Sequence, residues 1–457
     1  MHDAAAFPEP SRSPHRIEAG ASTPNFNPQS EIRNSMRLLR HSDPNFSAAL
    51  HALKRHAAAD PQVEKTVREI LHAVRQTGDT AVLDYTHRFG GPRLKPEELR
   101  VTGKPKVDAA TEEAVAIAHA NVLAFARKSL RENWTMKNAQ GGLVGERYDA
   151  FQRVGIYVPG GTAPLVSTAV MTVTLAAAAG VPEIVVTTPA GADGKINDAL
   201  HFALDYCGAT EIYRVGGAQA IAALAYGTPS IPGVQKIFGP GNAYVVEAKR
   251  QVFGKVSIDL LPGPSEILVL ADATANPSWI AADLLAQAEH GKGSSILFIT
   301  NSAKLLKAVE AAMISQLATL SRQQHLAGVL DHGCALILVK SLKDAVSIAN
   351  DFAPEHIALV TKDDNLIASQ IHTAGAIFLG GWSPVAAGDF LAGPSHTLPT
   401  GGAGRSFPGL TVDMFQRRTS LVRLDAKSLK RSIPTITRFS QIEGLDAHGR
   451  SATIRLE

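Results

Sequence analysis

Between residues 154 and 379 the chain alternates short β-rich runs with helical stretches, in two successive series. The first series places strands at 154–158, 184–188, 212–215, 235–238 and 256–260. Helices fall between them near 168–180, 197–206, 218–226 and 242–252. This rhythm builds a parallel sheet, because parallel neighbours need a crossover long enough to hold a helix. From residue 265 it restarts, with strands at 266–271, 295–300, 335–339, 357–361 and 376–379. Its helices lie near 279–290, 303–318, 342–352 and 365–371. The pattern predicts two α/β modules with a cleft between them, and ligands are expected at the carboxyl ends of the strands.

The flanks differ in character. Residues 1–30 are rich in Pro, Ser and Ala with mixed charge, too poor in apolar surface to order themselves, and read as a disordered tail. Residues 31–153 read mainly as helical, with apolar positions at three- and four-residue spacing over 63–74 and 113–125. This segment is expected to pack with the second module. The modules themselves span 154–262 and 263–400. After residue 381 the rhythm stops, and 388–409 reads as a 22-residue Gly/Pro-rich loop holding Asp389 and His396. Residues 401–457 form a C-terminal arm, with a strand or two and a helix around 436–447. The arm is too small to stand alone, so it is expected to pack on another domain or another subunit.

Composition excludes several function classes. A net charge of +3 on 457 residues offers no basic face for nucleic acid. The longest apolar stretch, 169–181, is closed by Pro182 and Glu183, short of the roughly 20 residues a membrane span needs. Asp3, Glu9 and Glu18 argue against a transit peptide, so a cytoplasmic location is expected. Only Cys207 and Cys334 are present, which leaves no disulfide scaffold and no Cys-rich metal motif.

Three sets of residues could carry chemistry. No G-x-G-x-x-G with a downstream acid occurs, but Gly239-Pro240-Gly241-Asn242 joins a strand to a helix. Glycines there let backbone N–H groups approach an anion at a helix N-terminus; a tight turn capped by Asn242 would look the same. The glycines after two neighbouring strands, at 158–161 and 216–219, make a binding rim the fuller reading. Gln287 and His290 lie three apart on one helix, while Asp389, His396 and His448 come from distant segments. Histidines with one carboxylate suit zinc with an open position, although any one of them could be a surface or helix-end residue. Finally, Pro354 turns the chain so that Glu355 and His356 precede a strand, as an acid–base pair or as simple strand caps.

Taken together, these segments resemble the histidinol dehydrogenase family. The resemblance runs from about residue 35 to the C-terminus. Its motifs are VGIYVPGG at 154–161, GGAQAIAALAYG at 216–227, GPGNAY at 239–244, GPSE at 263–266 and DLLAQAEH at 283–290. To these add APEH at 353–356, GD at 388–389, HTLPT at 396–400 and EGLDAH at 443–448. The resemblance implies two Rossmann-like parallel-sheet modules in an aldehyde-dehydrogenase-like arrangement, with N-terminal helices and a small arm. It implies a homodimer whose arm reaches the partner subunit. It further implies zinc held by Gln287, His290, Asp389 and His448, and NAD contacts at Tyr157, Gln219 and Asn242. Substrate contacts would fall at Ser265, His396 and Glu443 in addition to the metal ligands and His356. Glu355 and His356 match the catalytic pair. The implied reaction oxidises L-histidinol through L-histidinaldehyde to L-histidine with two NAD, closing histidine biosynthesis. A zinc/NAD dehydrogenase of another polar alcohol, such as a sulfonated diol, and a non-catalytic NAD-binding sensor are the competing readings.

Overall fold

The computed structural model describes residues 36–53, 60–160, 164–291 and 293–457; the tail expected over 1–30 lies outside them. In chain order the strands are β1 (Arg37–Arg40), β2 (Trp134–Lys137), β3 (Leu143–Ala150), β4 (Arg153–Tyr157) and β5 (Glu183–Thr187). They continue with β6 (Glu211–Tyr213), β7 (Lys236–Phe238), β8 (Ser257–Ile258), β9 (Glu266–Ala271) and β10 (Ser295–Thr300). The last four are β11 (Cys334–Leu338), β12 (His356–Val360), β13 (Ala376–Leu379) and β14 (Gln416–Arg423). Two of the sheets are parallel throughout, ordered β6-β5-β4-β7-β8 and β1-β11-β10-β9-β12-β13. Counted within its own series, each runs 3-2-1-4-5, and β1 is added beside β11. The order reverses between β4 and β7 in one sheet and between β9 and β12 in the other. Such a switch point opens a crevice beside the sheet.

Burial explains why the strands read as nearly continuous apolar runs. Every residue of β9 and β10 is buried. Ile267, Val269, Ile296 and Phe298 face one layer, with Leu284 of the helix Pro277–Ala288 and Val309 of Ala303–Leu317. Leu268, Leu270, Leu297 and Ile299 face the other, with Ile348 of Leu342–Phe352 and Leu50 of Phe46–His51. A period of two with both faces covered leaves no place for polar residues inside the strand. The other parallel sheet is built alike: Ile156 and Val186 pack on Val166–Ala178, whereas Val185 and Ile237 pack on Gly217–Tyr226 and Ala243–Val252.

The N-terminal segment departs from expectation. Its helix Pro61–Thr77 is capped by Asp60, whose carboxylate accepts from the Gln62 N–H, and it buries Val67, Ile70, Leu71 and Val74. That face packs on Gly217–Tyr226 and Ala243–Val252, and the long helix Ala109–Ser129 packs on Val166–Ala178. Both therefore cover the sheet of β4 to β8; only β1 and the short helix Phe46–His51 join the second sheet. An amphipathic stripe demands a buried face without naming the partner. The segment is not wholly helical either, since β2 and β3 combine with β14 in a three-stranded antiparallel sheet ordered β14-β3-β2.

Two C-terminal expectations also change. The stretch 388–409 is not free of secondary structure: Asp389 lies in the short helix Val385–Phe390, and a 3-10 turn spans Ala403–Arg405. The arm holds two helices, Ala426–Glu443 and Asp446–Thr453, broken at Gly444 in the left-handed region. It exposes Phe439, Ile442, Leu445 and Ile454. Among the described residues no helix is long and apolar enough to cross a membrane.

Candidate active site

Helix Leu342–Phe352 ends at Ala353, whose φ of 53° makes it the one non-glycine with positive φ among the described residues. Pro354 cannot continue a helix, so the chain turns within two residues into β12 and delivers Glu355 just ahead of that strand and His356 to its first position. β12 pairs with β9 at the switch point, which sets His356 opposite Ile267 and beside Glu266. The pair thus lies at the amino ends of these strands, not at the carboxyl ends where ligands were expected. Strain at Ala353 is the kind of backbone feature that collects at functional sites.

Glu266 holds both residues. The His356 ring donates from Nδ1 to the Glu266 carbonyl oxygen at 3.0 Å, which leaves Nε2 with its lone pair, 3.8 Å from Asp389 Oδ1. Burial pushes this imidazole down to about 4, further lowered by His290 and His396 and opposed by the Glu266 carbonyl. The ring is therefore neutral near pH 7. Glu355 Oε2 accepts from the Glu266 N–H at 2.8 Å, while Glu266 accepts in return from the N–H groups of Glu355 (3.4 Å) and Gly401 (3.0 Å). Burial drives the Glu355 carboxyl well above the ordinary carboxylate range, with the charges of Glu266 and Asp389 adding to it.

Asp389 and His396 complete this corner. His396 donates from Nδ1 to the Asp389 main-chain oxygen at 2.9 Å, so its Nε2 accepts from the Thr168 hydroxyl at 3.3 Å. Thr168 belongs to the helix over β4, so His396 bridges the two parallel-sheet units. Burial lowers His396 to about 4 and raises Asp389, where nearby His290 opposes the rise. Gln287 is buried on Pro277–Ala288 with its Nε2 unpartnered, and His290 follows two residues past that helix, not within it. Ser265, partly buried, precedes β9.

Glu443 and His448 are not brought to this corner within one chain; both lie exposed on the arm. Among the described residues no group of three or more His, Cys, Asp or Glu is arranged to hold a metal ion. Gln287, His290 and Asp389 nevertheless offer an amide, an imidazole and a carboxylate, a nitrogen and oxygen donor set that suits zinc. An amide binds a metal through its carbonyl oxygen, and the unpartnered Nε2 shows that no hydrogen bond fixes the Gln287 amide, so a half-turn of the group exchanges its two ends and turns Oε1 to where Nε2 now lies.

Tyr157, Gln219 and Asn242 gather at the other switch point, at the carboxyl ends of β4 to β7. The Tyr157 hydroxyl accepts from the Gly217 N–H at 3.3 Å, and burial pushes the phenol up. Gln219 is buried with Oε1 unpartnered. Asn242 Oδ1 accepts from the N–H groups of Tyr244 and Val245 at 3.1 and 3.2 Å, a genuine N-cap. Gly239 has φ of +107°, and a Cβ there would sit 2.0 Å from the Tyr157 carbonyl oxygen, so no other residue fits. Helix N-termini at 217 and 243 flank this crevice and favour an anion.

Comparison with known proteins decides the family. The histidinol dehydrogenase family model matches residues 53–456. The chain belongs to the histidinol dehydrogenase family. A relative from Syntrophotalea carbinolica, named histidinol dehydrogenase, is 43% identical over 92% of this chain and 99% of its own length. One of that name from Synechococcus sp. is 44% identical over 86% of this chain and 92% of its own. The crystal structure of histidinol dehydrogenase from Elizabethkingia anophelis matches with a TM-score of 0.87 at 31% identity, covering 92% of this chain and 98% of that one. Membership in the histidinol dehydrogenase family makes the chain an NAD-dependent oxidoreductase.

Burial raises Cys207 to about 11 and Cys334 to about 12, so neither thiol supplies a thiolate nucleophile near neutral pH. Glu266 and Thr168, by contrast, are given no role by the sequence, although Glu266 closes the GPSE motif. Glu266 carried a signal, an acid heading a strand that is otherwise wholly apolar; Thr168 carried none, being one of several threonines on a buried helix.

Proposed function

We propose that the chain oxidises L-histidinol through L-histidinaldehyde to L-histidine with two NAD, the closing steps of histidine biosynthesis. The reading rests on one observation above others: His356 Nδ1–H is engaged by the Glu266 carbonyl, so a neutral Nε2 stands ready as base with Glu355 beside it. Zinc would be held by Gln287, His290 and Asp389 of one chain with His448 from a second copy. Bound there, it would supply a Lewis acid that fixes the amine and imidazole nitrogens of the substrate. The exposed apolar residues of the arm support such a homodimer, and Glu443 and Ser265, with His396, would contact the substrate.

His356 Nε2 takes the hydroxyl proton as the alcohol carbon gives a hydride to the first NAD, leaving an aldehyde. Glu355 then takes a proton from water as its oxygen adds to the aldehyde carbon, while His356 returns its proton to the former carbonyl oxygen, which gives the neutral hydrate. The raised affinity of Glu355 for protons makes it an effective base once ionised. His356, neutral again, takes one hydrate proton as the second hydride leaves, and the carboxylic acid so formed gives its remaining proton to solvent. NAD would be held by Tyr157, Gln219 and Asn242, and it would supply the hydride acceptor of both oxidations. Retaining the aldehyde between the two oxidations protects it from side reactions.

A substrate panel tests the assignment. L-Histidinol should give the highest kcat/KM, above other amino alcohols and sulfonated diols. A sulfonated diol oxidised faster than L-histidinol would replace this reading with that of a related dehydrogenase.

A further inference from the structure

We propose that the buried Lys249–Asp259 ion pair is a positioning device for the cofactor, holding the Gly239 turn in its binding conformation before NAD arrives. The proposal rests on the reading above, in which NAD occupies the crevice beside Gly239 and Asn242. Lys249 lies seven residues past Asn242, on the helix Ala243–Val252, and both side chains of the pair are fully buried. Lys249 Nζ donates to the Gly239 carbonyl at 2.8 Å and also to Asp259 Oδ1. Asp259 Oδ2 accepts from the Gly239 N–H at 2.8 Å. Both main-chain polar groups of one glycine are thus tied to charged side chains.

The position calls for such a clamp. Gly239 follows the last residue of β7, where the ladder has ended and the next helix has not begun. Its φ of +107° is open to glycine alone, and glycine is also the residue with most freedom to leave that conformation. An apolar pair of the same volume would avoid the desolvation cost of burying two charges. It could not satisfy an isolated N–H and an isolated C=O, whereas charge-assisted hydrogen bonds do so strongly. A turn fixed beforehand spares the cofactor the entropy of ordering it. The pair touches Gly239 only through its backbone, so its influence should appear in cofactor affinity and not in the chemical step.

Lys249→Met and the charge-free double variant Lys249→Met/Asp259→Asn test this by steady-state kinetics on the zinc-loaded enzyme. KM for NAD should rise about tenfold or more, the loss expected for a charge-assisted hydrogen bond. At saturating NAD, kcat and KM for L-histidinol should stay within about twofold. An unchanged KM for NAD in a folded variant overturns the proposal. So does an equal loss in kcat and both KM values, which marks general disruption. Should both variants fail to fold, amide exchange in the wild-type protein without NAD decides: a protected Gly239 N–H supports the clamp, and exchange as fast as in a free loop overturns it. A wild-type protein that binds no NAD in a direct titration would instead refute the underlying reading and, with it, any cofactor role for the pair.

Discussion

Acidification should destabilise the metal-free protein through His356 and His396, by an amount the structure sets. Burial, the leading cause at both rings, depresses them to about 4 from an ordinary 6.5. Between those values the unfolded chain binds a proton that the folded chain refuses, so stability rises with pH across that window. The contribution is fully present above pH 6.5 and is lost as pH falls toward 4. Linkage gives a loss of about 2 kcal/mol per ring between pH 7 and pH 5. Asp283, raised to about 6, and Glu355, raised well above its ordinary value, act in the opposite sense because burial favours their protonated forms. The measurement must therefore be differential. Urea unfolding at pH 7 and pH 5, in the presence of a chelator, should be followed for the wild type and for His396→Asn. The variant should lose about 2 kcal/mol less on acidification than the wild type does. Equal losses in the two proteins would refute the conclusion that burial holds this ring neutral.

Other substitutions separate the roles of neighbouring residues. His356→Asn should slow both oxidations by roughly 10²- to 10⁴-fold, the usual worth of a general base, read as NADH formation from L-histidinol and from L-histidinaldehyde. Glu355→Gln should stall mainly the aldehyde step; equal loss in the two half-reactions would contradict that division of labour. If the arm completes the site of a second copy, Gln287→Ala and His448→Ala should each be inactive alone. After subunit exchange, a mixture should recover about a quarter of wild-type activity, because half the dimers are mixed and each has one intact site. No recovery from exchanged subunits would place His448 in the site of its own chain.

The parallel strands were legible because burial on both faces forces apolar, β-branched runs such as β9 and β10, and the helices between them keep their own period. The antiparallel sheet was not. It pairs β14 with β3 across more than 260 residues of sequence, and its half-exposed strands carry mixed patterns that resemble a helix flank or loop. Val67, Ile70 and Val74 announced a buried face, yet nothing local said which sheet it would cover. Asp389 falls in a stretch that reads as a Gly/Pro-rich loop, because a six-residue helix of sequence VAAGDF is too short to show a helical period. At the site, Glu355 and His356 were visible from the Pro354 turn. The residue that orients them, Glu266, acts largely through its main chain, and a backbone carbonyl leaves no mark on side-chain chemistry. The position of Gly239 was visible, but its fastening to Lys249 and Asp259 was hidden by ordinary spacing on a helix and after a strand.

NADH formed per L-histidinol consumed, with and without a chelator, tests the proposed reaction most directly. Two oxidations at one His356 require a ratio of two, with the aldehyde never accumulating and with turnover abolished by the chelator and restored by zinc. A ratio of one, with aldehyde released, would contradict the proposed role of Glu355, and full activity in the chelator would contradict the metal assigned to Gln287, His290 and Asp389.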